Sequence, residues 1–159
     1  MINRESEGKA EFLVSFARFT EWPSSAFATK DSPLVIAILG AVPWDTWLEE
    51  KLRGQTVRGR RLEVEHIPEM RDMRTCHMVY VGRTEVERLG QMVEALRGKP
   101  VLIVSDVERA KATGVMIRLF EDHHRIRLEV NLEAVRRAGL HLSAKLLRAA
   151  YAMVPAENP

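Results

Sequence analysis

MVYVGRTEVERLGQMVEALRGKPVLIV, from Met78 to Val104, is the stretch that decides the fold class of this chain. Its two ends, Met78 to Val81 and Val101 to Val104, are apolar runs of strand length, and uniform apolarity is the mark of a strand covered on both faces. Between them Val86, Leu89, Val93 and Leu96 recur on one face of a helix. Two buried strands joined by such a helix make a right-handed crossover in a parallel sheet.

Upstream, Leu34 to Leu39 is a third apolar run, stopped at Gly40, and Pro43 suits the first turn of a helix carrying Trp44, Trp47, Leu48 and Leu52 that closes at Gly54. Arg61 to His66 alternates apolar and charged residues, as a half-exposed strand does. Downstream, Asp106 is placed to cap a short helix ending at Gly114. A hairpin follows, Val115 to Phe120 with Ile126 to Val130, then helices starting near Asn131 and Ser143. The expected fold is α/β and Rossmann-like: a three-layer sandwich with a mostly parallel sheet and an antiparallel C-terminal hairpin. A single domain is expected over 9–154, with flexible residues at 1–8 and 155–159.

KAEFLVSFARFTEWP, Lys9 to Pro23, precedes all of this. Phe12, Phe16, Phe19 and Trp22 fall at helical spacing, and Pro23 ends the helix at the Trp-Pro step. Phe12 and Phe16 are expected in the core. Arg18 and Glu21 lie on the far side, open to a partner.

The chain has 159 residues, of which 29% are charged, with a formal net charge of +2. That is the composition of one soluble globular domain. Its basic clusters, such as Arg58, Arg60 and Arg61, are short and interleaved with Glu, so the aligned cations of a nucleic-acid surface are missing. No run approaches the roughly twenty apolar residues of a bilayer span. The opening MINRESEG is polar and carries no apolar signal core.

Catalytic and cofactor motifs are equally absent. Gly40 is alone in its strand-to-helix turn, whereas a dinucleotide fingerprint needs several glycines for the backbone to approach a pyrophosphate. Asp106, following Ser105, is a solitary carboxylate, and a hard-cation site needs more than one. His66, His77 and His141 are scattered and His123 and His124 sit in a turn, without the paired spacings of zinc sites. Cys76 is the single cysteine, so no internal disulfide forms, and its neighbour His77 points to the opposite strand face. No enzyme activity, cofactor or metal is expected.

On the hairpin, Ile117, Leu119, Ile126, Leu128 and Val130 define an inward face, leaving Arg118, Phe120, Arg127 and Glu129 on the other. Two registers keep the apolar residues paired. The one that opposes Arg118 to Glu129 and Phe120 to Arg127 avoids facing like charges and should prevail. It leaves a four-residue loop, Asp122 to Arg125. The resulting strip of arginines beside an aromatic has the composition of a partner-binding patch, extended by Arg136 and Arg137 on the next helix.

Taken in order, KAEFLVSFARFTEWP, LVIAILG, GQTVRGRRLEV, CHMVYVG, GKPVLIVSD and NLEAVRRAGLHLSAKLLRAA resemble the YfiR family of bacterial periplasmic regulators over nearly the whole chain. The resemblance implies a non-enzymatic repressor that binds the periplasmic sensor domain of an inner-membrane diguanylate cyclase and lowers cyclic-di-GMP until an outer-membrane lipoprotein captures it. It also implies periplasmic residence, with a secretion signal ahead of Lys9, so that this chain is a mature or trimmed form. A homodimer stays open. YfiR-like proteins can pair a cysteine at the position of Cys76 with a second one, which this chain lacks. The alternative reading is a small-ligand module using the crevice at the strand C-terminal ends, near Gly40, Gly82 and Ser105.

Overall fold

The computed structural model describes residues 4–40, 42, 44–69, 75–106, 114–123, 125–149 and 152–154. Its longest helix, α1 (Arg4–Phe19), buries Ala10, Leu13, Val14, Phe16 and Ala17, positions that share one helical face. Two expectations change here. The helix reaches back to Arg4, so residues 4–8, expected to be flexible, belong to α1. It also stops at Phe19, leaving Trp22 beyond the stripe. Thr20–Glu21 (β1) instead pairs antiparallel with His141–Leu142 (β9), and Ser143 N donates to Phe19 O at 2.9 Å.

The main sheet contains Leu34–Leu39 (β2), Thr56–Val57 (β3), Arg60–Ile67 (β4), Met78–Val81 (β5), Leu102–Ser105 (β6), Ile117–Asp122 (β7), Arg125–Asn131 (β8) and Ala152–Val154 (β10). The spatial order is β10-β8-β7-β6-β5-β2-β4-β3. β4, β2, β5, β6 and β7 run parallel, while β8 returns antiparallel to β7. The apolar run Leu34–Leu39 thus sits between two parallel neighbours, which is why all its residues but Val35 are fully buried.

From β2 the chain moves outward to β4 and then crosses back to β5 on the other side. Right-handed crossovers then place the helix after β2, α2 (Asp45–Leu52), and the helix after β5, α3 (Leu89–Ala95), on opposite faces. α1 packs with α2, α5 (Ala144–Ala149) and β8 on one face. α4 (Leu132–Arg137) joins α3 on the other, where Val93, Leu96, Ala134 and Ala138 line one pocket with Ile103 of β6 and Met116 just ahead of β7. The Asn131 side chain accepts from Ala134 N at 3.1 Å and the Ser143 hydroxyl from Leu146 N at 3.1 Å, so both late helices are capped at their expected starts.

The hairpin adopts the expected register, Arg118 opposite Glu129 and Phe120 opposite Arg127. Its loop is shorter than expected. Asp122 pairs with Arg125, which leaves a two-residue turn in place of four. His123 takes the left-handed region at φ 50°, and its Nδ1 lies 2.8 Å from Asp122 Oδ1. His123, its imidazole bonded to the neighbouring carboxylate, thus takes a conformation that such turns more often give to glycine. The helix expected between Asp106 and Gly114, and the C-terminal tail at 155–159, lie outside the described residues.

Candidate partner-binding surface

Strand pairing lines up Leu39, Val81, Ser105, Arg118 and Glu129 as successive register partners across the sheet. Register partners point to the same face, so the arginine strip of the hairpin adjoins the row of strand ends holding Gly40, Gly82 and Ser105. The sequence treats these as separate candidates. In the fold they are neighbours.

The strip is charge-balanced within itself. Arg118 Nε lies 3.3 Å from Glu129 Oε1, with the side chains 18% and 17% exposed. The same guanidinium lies 4.3 Å above the Phe120 ring, a cation-aromatic contact strengthened by partial burial. Arg127 Nε reaches Asp122 Oδ2 at 3.5 Å, and Arg137 Nε reaches Glu133 Oε1 at 3.2 Å one helical turn away. Arg125 and Arg136 are exposed, and among the described residues neither forms an ion pair. Arg125 and Arg136 thus carry the exposed positive charge beside the strip, while Arg118, Phe120, Arg127 and Glu129 form an amphipathic ladder.

Arg18 and Glu21 are not part of this surface. α1 starts against β8, where a side chain at Gly8 would meet Ile126. It ends at the opposite edge, where Arg18 is exposed and bonds Gln55. There Arg58 donates to the carbonyls of Arg18 and Thr20, both at 3.1 Å. Arg58 and Gly59 both have positive φ, 51° and 80°, as a tight turn between β3 and β4 requires. That turn aims the guanidinium at the end of α1. Glu21, exposed on β1, stands opposite His141.

At the strand ends two polar groups hydrogen-bond within the sheet. Ser105 Oγ donates to Val81 O at 2.8 Å, and Gly82 N donates to Leu39 O at 3.0 Å. Gly40 has φ 94°, and a Cβ there would fall 2.7 Å from Thr84 Oγ1. Glycine at this position leaves room for Thr84 and Glu85 in the turn after β5. Among the described residues, no group of three or more His, Cys, Asp or Glu is placed to hold a metal ion. No helix among them is long and apolar enough to cross a membrane.

A cluster that the sequence reading missed gathers at the other end of the strands. Trp22 Nε1 donates to His77 O at 2.8 Å, and Phe27 stacks on the His77 ring at 4.3 Å. Arg60 lies 3.7 Å above Phe27 and donates to the carbonyls of Thr29, Lys30 and Ser32. His77 Nδ1 accepts from Val35 N at 3.0 Å, so its Nε2 carries the proton it donates to Ala26 O at 2.9 Å. Burial is the main cause that pushes this imidazole below its ordinary value, with Arg60 adding to it and the Ala26 bond opposing it. The Trp-Pro step was the one signal of this cluster, and it reads locally as a helix stop.

The profile of the YfiR/HmsC-like family matches residues 6–151, and the chain belongs to that family.

Proposed function

We propose that this protein is a non-enzymatic periplasmic regulator that binds the periplasmic sensor domain of an inner-membrane diguanylate cyclase and represses it, lowering cyclic-di-GMP. The observation that carries this reading is family membership over residues 6–151. The hairpin ladder, with Arg125 and Arg136 exposed beside it, supplies a surface suited to an acidic partner. An outer-membrane lipoprotein would compete for the repressor. Repression requires tighter binding to the inactive receptor conformation, because equal affinity for both conformations shifts nothing.

The test pairs the purified chain with the receptor's periplasmic domain in surface plasmon resonance, and measures cyclic-di-GMP in cells carrying the full-length cyclase. Saturable binding together with a fall in cyclic-di-GMP supports the reading. Absence of binding with unchanged cyclic-di-GMP overturns it.

A further inference from the structure

A cavity of about 610 Å³ opens at the N-terminal ends of β5 and β6, away from the hairpin ladder. Cys76, Met92, Leu96 and Val101 form apolar walls, and each of these side chains is buried. Ser25 and Lys99 stand at the mouth, where both residues are exposed. The volume falls within the roughly 300–1,000 Å³ of small-molecule sites. Among the described lining residues Lys99 is the one charged group, and no carboxylate joins it. Apolar walls with a lone cation at the rim suit a ligand with an apolar body and one negative charge. A cationic ligand would face Lys99 as a like charge, and a wholly polar one would leave the apolar walls unfilled.

We propose that this cavity binds a small amphipathic monoanion, such as a medium-chain carboxylate, with its chain on Met92 and Leu96 and its charge at Lys99. Binding there is independent of cyclase repression, so either can fail alone.

The experiment titrates the full chain with octanoate, octanol or octylammonium by isothermal titration calorimetry. Octanoate is expected to bind saturably, with the other two at least about fivefold weaker. Lys99→Met should weaken octanoate about fivefold, the scale of one partly exposed charge pair, and leave octanol unchanged. An unchanged circular dichroism spectrum and melting temperature show that this exposed substitution leaves the fold intact. Equal affinity for all three compounds, no binding of octanoate, or an unchanged octanoate affinity in Lys99→Met would each overturn the proposal.

Discussion

Lys9 Nζ lies 2.7 Å from Asp106 Oδ2, with the two side chains 7% and 8% exposed. This ion pair ties the first turns of α1 to the C-terminal end of β6, while Trp22, just beyond the helix, is held by His77 O ahead of β5. α1 is thereby fastened at opposite ends of the strands. Removing one partner takes a close opposite charge away from a buried group, so Lys9→Met should cost about 3 to 5 kcal/mol. Lys9→Met combined with Asp106→Leu should recover much of that loss. Urea denaturation of the two variants checks both values, and a single-variant loss below about 1 kcal/mol would contradict a buried pair.

Phe16 is fully buried whereas its stacking neighbour Phe12 is half-buried. Phe16→Ala should therefore cost about 3 to 5 kcal/mol and Phe12→Ala clearly less. Equal losses in chemical denaturation would contradict this placement of the helix.

Cys76 is held in apolar surroundings, and burial, reinforced by Glu65 and opposed by Lys99, pushes its thiol up to about 12. At pH 8 the native protein should resist iodoacetamide and the urea-unfolded protein should react readily. Cys76→Ser should cost about 1 to 2 kcal/mol, the scale for a hydroxyl in an apolar site. Reductant should leave the melting temperature unchanged, and a drop would reveal an intermolecular disulfide.

His77 is held below its ordinary value of 6.5, so between the two values the unfolded chain binds more protons than the native one. Its contribution is complete above about pH 6.5 and is lost as pH falls through that value and on through the lower native one. Stability by urea unfolding should decline across this acidic range. His77→Gln should show a shallower decline, and parallel curves for the two proteins would rule out His77 as a source.

Charge reversal at Arg125 and Arg136 together should slow association with the receptor at low salt and leave the far-ultraviolet circular dichroism unchanged, because both side chains are exposed. Arg118→Glu should instead destabilise the hairpin by about 1 kcal/mol or more, since it faces Glu129 directly. Arg18→Glu tests the separate edge of the sheet. A wild-type association rate that does not change with salt would remove electrostatic docking altogether.

The apolar runs at Leu34–Leu39 and Met78–Val81 and the alternation around Leu119 and Leu128 were enough to determine an α/β sheet closed by a hairpin. These patterns reflect burial along one strand at a time, and the facing of Arg118 with Glu129 follows from charge across adjacent strands. The reach of α1 was not legible in that way. Its end at Phe19 depends on Arg58 and Ser143, which approach only after β3 and β9 are in place. The pairing of Lys9 with Asp106, the burial of His77 and the cavity beside Cys76 likewise join residues far apart in the chain, through contacts that no local periodicity records. Sequence patterning determined which residues turn inward, and tertiary packing alone decided which of them meet.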